Sequence, residues 1–202
     1  DRAAEFIDFY VAEMRKVTNV VQSMAADEKP LVFMENAAGY SAGSCCTTYG
    51  SFNYGRFIEL AGGQNYGSAL FSGFKSEVSL EALITADPDI LLGTGANWAE
   101  ARPETMAILL GYDADPAVNA KRLQTLADRD GFKDLKAVKN GQMHSIYHQF
   151  YNSPYHFIAI QQLAKWIHPE EFADLNPDAT FAALHDRFMP FEAAGQFWVS
   201  LP

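Results

Sequence analysis

Residues 79–94 read SLEALITADPDILLGT, and this stretch decides the fold. Ser79 is suited to cap a short helix, which must end at Asp87-Pro88 because the residue before proline is pushed out of the α region. The apolar run from Ile90 to Leu92 is typical of a strand that is covered on both faces, as in parallel α/β sheets. Ligands of such sheets bind beyond the carboxyl ends of the strands, so the loop from Gly93 onward is predicted to form a wall of a binding site.

Helices and strands alternate on both sides of this stretch. Further strands are predicted over residues 31–34 and 143–147. Helices are predicted over residues 1–24, 54–61, 103–126 (in two pieces divided at 111–116), 154–167 and 177–188. Residues 35–53 are expected to form one long loop. The alternation indicates an α/β fold, a three-layer lobe with a largely parallel central sheet flanked by helices.

Composition limits the classes of function. The chain has 202 residues, of which 49% are hydrophobic and 13% aromatic, enough for one sizeable core. The net charge of −10 and the pI near 4.8 exclude nucleic acid as a partner, because phosphates need a basic surface. No apolar run approaches the ~20 residues that span a bilayer.

The amino-terminal residues predict a long amphipathic helix. Apolar side chains recur at steps of three and four between Ala3 and Met24, with no capping box before them. The interpretation is a fragment or a processed chain that was cut inside this helix or just before it. A targeting signal would then lie in the preceding sequence.

Three loops follow the three predicted strands and are expected to meet at one edge of the sheet. Their candidate ligand-binding residues are Tyr40, Cys45, Cys46 and Tyr49 in the first loop, Asn97, Trp98 and Arg102 in the second, and His148 and Tyr151 in the third. Such an aromatic surface with a few polar groups suits a bulky, partly flat or amphipathic ligand.

Each candidate also has a structural interpretation. Trp98 could equally cover the edge of the sheet, and Arg102 before Pro103 could be a solvated residue at the start of a helix. Cys45 and Cys46 are adjacent, and adjacent cysteines rarely form a disulfide, so they are expected to pack inside a tight loop. Their chemical alternatives are a thiolate nucleophile with His148 as its base, or soft metal ligands.

Four segments carry a family resemblance. They are residues 1–24, residues 59–65 (ELAGGQN), residues 78–90 (VSLEALITADPDI) and residues 135–143 (LKAVKNGQM). In this order the chain resembles the carboxyl-terminal half of the periplasmic substrate-binding proteins for iron-siderophores, haem and corrinoids, the helical-backbone class of ABC-transporter receptors.

The resemblance implies a receptor that clamps its ligand between two lobes and has no catalytic residues. Residues 1–28 would be the end of the helix that joins the lobes, and residues 29–202 the carboxyl-terminal ligand-binding lobe, with the amino-terminal lobe outside this chain. The implied partners are that missing lobe, an ABC permease and its ATPase. The implied location is periplasmic or extracellular, with a lipid anchor left open. Glu81 would be the carboxylate that docks on the permease, since a rim charge guides docking more than it adds affinity.

The loops limit the ligand. Highly anionic ferric catecholates call for clustered cations, and the predicted loops offer only Arg102, with Arg56 as a second. The expectation is a weakly charged iron chelate of siderophore type, then a corrinoid or haem, with no other cofactor. Two alternatives stay open: direct capture of a transition-metal ion by Glu35, Cys45, Cys46 or His148, and an enzyme with a cysteine nucleophile.

Overall fold

The structure, a computed structural model, describes residues 1–41 and 45–202. The strands are β1 (Leu31–Glu35), β2 (Thr47–Tyr49), β3 (Gln64–Asn65), β4 (Lys75–Glu77), β5 (Ile90–Gly95), β6 (Met143–Tyr147) and β7 (Trp198–Ser200). The α-helices are α1 (Arg2–Val21), α2 (Tyr54–Leu60), α3 (Tyr66–Leu70), α4 (Leu80–Ala86), α5 (Pro116–Ala127), α6 (Lys136–Lys139), α7 (His156–Ile167) and α8 (Pro177–Phe188). Short 3₁₀ turns cover Ala26–Glu28 and His148–Asn152.

The strands form one mixed sheet in the order β4-β2-β1-β5-β6-β7, with β3 also paired to β1. The central strands β1, β5 and β6 are parallel, whereas β2, β4 and β7 join antiparallel at the two sides. The predicted α/β class is therefore confirmed, with a parallel centre and antiparallel margins.

Alternate residues of β1 enter two different cores. Val32 and Met34 pack with residues of α1, α2, α7 and α8, whereas Phe33 packs on the opposite face with residues of α4, α5 and α6. This alternation follows from the two-residue period of a strand. It produces the three layers that the sequence predicts.

Residues 79–94 fold as the sequence predicts. The hydroxyl of Ser79 accepts the backbone N–H of Ala82 at 3.2 Å, and Asp87 ends α4 with a left-handed φ of 39°. The carboxylate of Asp89 then accepts the backbone N–H of Leu31 at 2.7 Å, which joins the starts of β5 and β1. All six residues of β5 are buried, and the strand continues to Gly95, past the predicted end at Leu92.

The amino-terminal helix is confirmed, and most of its apolar stripe faces the core: Val17 is buried, and Phe6, Tyr10, Met14 and Val21 pack against the same cluster. Asp1 caps α1 through its carboxylate, which accepts the N–H groups of Ala3 and Ala4. The buried residues are Phe9, Glu13 and Val17, whereas Ile7 is 58% exposed. The carboxylate of Glu13 can be buried because Gln161 and Thr180 donate hydrogen bonds to it.

The predicted helix after Pro103 is wrong up to residue 115. Within this segment, backbone hydrogen bonds form isolated turns, such as the one from the N–H of Ala114 to the carbonyl of Gly111. Other backbone groups bond to side chains of α5: Asn119 pairs with the N–H and C=O of Leu109, and Arg122 donates to the carbonyls of Thr105 and Ala107. These side chains satisfy the polar groups that a helix would have paired internally. The segment is thereby free to run as an extended connection.

Other differences concern short strands and one helix start. β2 lies within the predicted first loop, β4 precedes α4, and the aromatic tail ends in β7. The helix predicted from Pro154 begins at His156. Within the described residues, none of the helices is both long and apolar enough to cross a membrane.

Candidate ligand-binding site

The loops that follow β1, β5 and β6 meet at the carboxyl edge of the sheet, and Thr94 of β5 joins them. Its hydroxyl oxygen accepts the backbone N–H of Ala37 at 2.8 Å and lies 2.9 Å from Nδ1 of His148. Its carbonyl accepts the N–H of Ala38 at 3.2 Å. One buried threonine therefore fixes the loops after β1 and β6 against the end of β5.

Four of the predicted residues form a continuous row of rings across these loops. In the row, Tyr40 contacts Trp98, Trp98 contacts His148 and His148 contacts Tyr151, with ring centroids 5.1, 5.1 and 5.2 Å apart. Each pair meets edge to face, the favoured arrangement of aromatic rings. All four side chains are partly exposed, so this aromatic row presents ring surface to solvent.

Arg102 closes one end of the aromatic row. Its guanidinium donates to the carbonyl of Tyr40 at 3.2 Å and to the hydroxyl of Ser41 at 2.9 Å, and its central carbon lies 4.6 Å from the centre of the Tyr40 ring. The exposed carboxylate of Glu104 lies 3.3 Å from Nε. Arg102 thus ties the first loop to the second, and no helix follows it.

Lys75 of β4 adds a second positive charge, which sequence reasoning missed because β4 was not predicted. Burial, and to a smaller extent the positive charge of Lys75, lower the pKa of His148 to about 4. His148 is therefore neutral at physiological pH. Arg56, the other expected cation, instead pairs with Glu59 on the exposed side of α2.

Tyr49 and Cys46 lie beneath the candidate surface and not on it, which corrects the sequence expectation. Each is 1% exposed. The hydroxyl of Tyr49 donates to Oδ1 of Asn36, and burial raises the pKa of this phenol well above its usual range. Cys46 extends β2 by pairing both backbone groups with Val78. Asn97, in contrast, is exposed beside Trp98.

The structure joins Cys45 to Cys46 through a disulfide, contrary to the expectation that adjacent cysteines stay separate. The peptide bond between them is cis, and their Cα atoms are 3.0 Å apart. Neither sulfur is a free thiol here. The two sulfur atoms are thus paired with each other.

Glu35 is engaged elsewhere. Both of its carboxylate oxygens accept from the guanidinium of Arg129, at 2.9 and 2.6 Å, and the carboxylate side chain is only 6% exposed. Residues 1–41 and 45–202 contain no group of three or more His, Cys, Asp or Glu side chains that could hold a metal ion. The four residues proposed for direct metal capture are thus not assembled as one ligand set.

Two hollows lie away from the aromatic row. One of about 490 Å³ is lined by Pro30, Asp89 and Gln142, which come just before β1, β5 and β6, and so it lies at the opposite edge of the sheet. The other, of about 400 Å³, adjoins the end of α8 beside His185, whose two ring nitrogens pair with Phe181 and Tyr112. Neither hollow is lined by a ring of the aromatic row or by Arg102.

The fold and the site can be compared with known proteins. The family model of periplasmic binding proteins matches residues 1–148, most of the chain. The chain belongs to the periplasmic binding protein family. A comparison with curated proteins gives no match.

Solved structures of this family share the fold. The TroA-like periplasmic binding protein FepB of Veillonella parvula is 27% identical, with a TM-score of 0.89 over 99% of this chain and 56% of that one. MolA of Haemophilus influenzae, solved with bound molybdate, is 18% identical, with a TM-score of 0.66 over 94% of this chain and 51% of that one. CeuE of Helicobacter pylori, solved with a Ni-His complex, is 14% identical, with a TM-score of 0.67 over 94% and 53%. The chain spans about half the length of these binding proteins.

Glu81, the residue expected to dock on a permease, lies in the first turn of α4. Its side chain is exposed and forms no salt bridge with the residues that the structure describes. Its own backbone N–H and the hydroxyl of Ser79 hold its pKa below the ordinary value. Glu81 thus presents an ionised, accessible carboxylate on the surface of this chain.

Proposed function

We propose that this chain is the carboxyl-terminal lobe of the extracytoplasmic substrate-binding component of an ABC importer, and that it captures an iron chelate of siderophore type between two lobes. Residues 1–28 would belong to the helix that joins the lobes, and the amino-terminal lobe would lie outside this chain. The protein would release its cargo to a membrane permease with its ATPase, and would act by binding, without catalysis. Its location would be the periplasm or the cell exterior.

The observation that carries this proposal is the aromatic row with Arg102 at its Tyr40 end. Rings at right angles to each other present both edges and faces, which suits the mixed aromatic and aliphatic surface of a chelator. Arg102 and the charge of Lys75 favour an anionic ligand. Two cations, neither held in a buried ion pair, fit a chelate of low negative charge.

Family membership is compatible with several cargoes, since relatives are solved with molybdate and with nickel. The aromatic row extends across three loops, and this extent favours a ligand larger than a bare oxyanion. Haem and corrinoids are the alternative flat ligands. A bare metal ion is the weaker alternative, because Glu35 is paired with Arg129 and Cys45 with Cys46.

The test is a tryptophan-fluorescence titration of the full-length protein with ferric siderophores of different charge, haemin, cobalamin, molybdate and Ni²⁺. Trp98 lies in the row, so bound cargo should quench it. Trp98→Ala should weaken binding of the cargo at least tenfold, because one wall of the site is lost. Trp166→Phe is the matched control, since Trp166 stacks on His144 away from the row.

Saturable quenching by a ferric chelate, together with at least tenfold weaker binding of that chelate by Trp98→Ala in equilibrium dialysis, supports the proposal. Quenching by haemin or cobalamin alone contradicts the iron chelate as cargo and supports the flat alternative ligand. A response to molybdate or Ni²⁺ alone, or equal affinity in the two tryptophan variants, contradicts both the cargo class and the site.

A further inference from the structure

The strand β4 lies at one side of the sheet and has an open edge. Among residues 1–41 and 45–202, its only strand neighbour is β2, to which it runs antiparallel. All three of its residues, Lys75, Ser76 and Glu77, are exposed. An edge of this kind is a template on which a further strand can pair.

The register with β2 shows which backbone groups of β4 point outward. Val78, directly after the strand, exchanges two backbone hydrogen bonds with Cys46, at 3.2 and 2.9 Å. Bonded and non-bonded pairs alternate along an antiparallel ladder, so the backbone groups of Ser76 face β2, whereas those of Lys75 and Glu77 do not. The N–H and C=O groups of Lys75 and Glu77 therefore point to the open edge.

These outward groups match those of a second β4 that runs antiparallel. With a two-fold axis beside Ser76, Lys75 of each copy lies opposite Glu77 of the other copy. Each such pair can exchange two backbone hydrogen bonds, because the outward N–H and C=O groups of both residues face each other. The two side chains have opposite charges and lie on the same face of the joined sheet. One strand thus supplies both halves of a closed two-fold contact.

Charge selects this register over its neighbours. A two-fold axis sets the residue that it passes opposite its own copy. An axis at Lys75 or at Glu77 would therefore place like charges directly opposite each other, which is destabilising. An axis between two residues would set outward groups against those of Ser76, which already face β2. Among these registers, the axis at Ser76 alone satisfies both the backbone groups and the charges.

An apolar pair extends the match at each end of the strand. Phe74, which precedes β4, is 49% exposed, although its ring packs edge to face on the ring of Tyr49. Continuing the same register by one residue places Phe74 opposite Val78 of the second copy. Pairing of the two edges would therefore cover part of a large apolar side chain that is otherwise in water.

We propose that the protein forms a symmetric dimer in which β4 pairs antiparallel with β4 of a second copy, with Lys75 opposite Glu77. The two sheets then continue as one through the contact. The paired segment is short, so the dimer forms reversibly and depends on the protein concentration. This inference uses only the edge of β4 and is independent of the function proposed above.

The dimer is tested by sedimentation velocity of the full-length protein at concentrations up to about 1 mM. We expect a reversible equilibrium between monomer and dimer. Glu77→Lys and Lys75→Glu should each weaken the dimer at least tenfold, because each substitution places like charges opposite each other. An equimolar mixture of the two variants should dimerise again, since a positive strand then faces a negative one. This recovery also shows that both variants are folded.

The control and a second measurement locate the contact. Glu171→Lys makes the same change of charge on an exposed residue after α7 and should leave the dissociation constant within twofold. In the wild type, the amide protons of Lys75 and Glu77 should exchange more slowly with solvent as the dimer forms. In Glu77→Lys, the amide of Lys75 should lose this protection.

Three results would overturn the proposal. Charged side chains can also keep an edge strand unpaired, and the full-length protein would then stay monomeric over the whole concentration range. A dimer in which the amides of Lys75 and Glu77 gain no protection would place the contact elsewhere. A mixture of the two charge variants that stays monomeric would contradict the opposition of Lys75 and Glu77.

Discussion

Glu35 and Arg129 form a buried, two-pronged ion pair in which each carboxylate oxygen meets a different guanidinium nitrogen, at 2.9 and 2.6 Å. Glu35 ends β1, and Arg129 follows α5, where its guanidinium also lies 3.7 Å from the centre of the Phe132 ring. The pair therefore fixes the carboxyl end of a central strand to the helical layer beside it. It also withdraws Glu35 from any role at the ligand surface.

Removing one partner of this pair should be costly. Arg129→Gln leaves the carboxylate of Glu35 buried without its counter-ion, which should lower the free energy of unfolding by about 3 kcal/mol. Urea unfolding followed by circular dichroism measures this change. Lys133→Gln is the control, because Lys133 pairs with Asp130 in full contact with solvent and should change stability little. Equal effects of the two substitutions would show that the buried pair is not a stabilising link.

Stability should fall as the pH is lowered from 7 to 5, partly because of His144. Burial lowers the pKa of its imidazole to about 3, and the ring stacks on Trp166 at 4.5 Å. The unfolded chain takes up a proton at this histidine below pH ~6.5, whereas the folded chain does not until pH is near 3. Protonation therefore favours the unfolded state, by about 2 kcal/mol at pH 5 for this one group.

The substitution His144→Phe separates this contribution from the rest. It keeps an aromatic ring against Trp166 and removes the titrating group, so the loss of stability between pH 7 and 5 should shrink by about 2 kcal/mol. The remaining loss includes His148, whose pKa is lowered to about 4. His156→Phe is the matched control. An unchanged pH dependence in His144→Phe would show that His144 is accessible to protons in the folded state.

Gly95 should not tolerate a side chain. A Cβ atom there would lie 2.3 Å from the carbonyl oxygen of Ile108, so the second loop would have to move away from β5. We expect Gly95→Ala to lower the unfolding free energy by about 1–3 kcal/mol and to weaken cargo binding, because the loop carries Trp98 and Arg102. Gly73→Ala is the control, with its nearest neighbour at an ordinary 3.8 Å. Thermal unfolding and the fluorescence titration measure both effects.

Glu81→Lys should impair transport but not binding. The carboxylate is exposed in the first turn of α4, so charge reversal should leave cargo affinity within twofold while reducing uptake in cells that depend on this protein. Asp178→Lys, at the equivalent early position of α8, controls for a general effect of added charge. Normal uptake by Glu81→Lys would remove this residue from the docking surface.

The three loops meet as the sequence predicts. Four of the candidate residues lie side by side there: Tyr40, Trp98, His148 and Tyr151. Parallel strands bring their carboxyl ends to one edge, so the order of strands and loops along the sequence suffices to predict such a meeting. Whether these residues bind cargo stays a prediction.

Predictions from the sequence were wrong where a residue's strand or hydrogen-bond partner comes from a distant segment of the chain. Tyr49 looked like a loop residue, but β2 pairs with β4 and buries it. Pro103 looked like the start of a helix, but Asn119 and Arg122 of α5 bind the backbone that follows it. Neither pairing leaves a periodic pattern in the local sequence.

By itself, therefore, the sequence determined the α/β class, the central strands and the edge of the sheet at which the three loops meet, because apolar periodicity, caps and proline act over a few residues. Only the tertiary structure decided which of the candidate side chains reach the surface, that Arg102 lies against the ring of Tyr40, and that Thr94 pairs with Nδ1 of His148. Those relationships join residues far apart in the chain, and their energies come from burial and hydrogen-bond partners that exist only once the layers have packed.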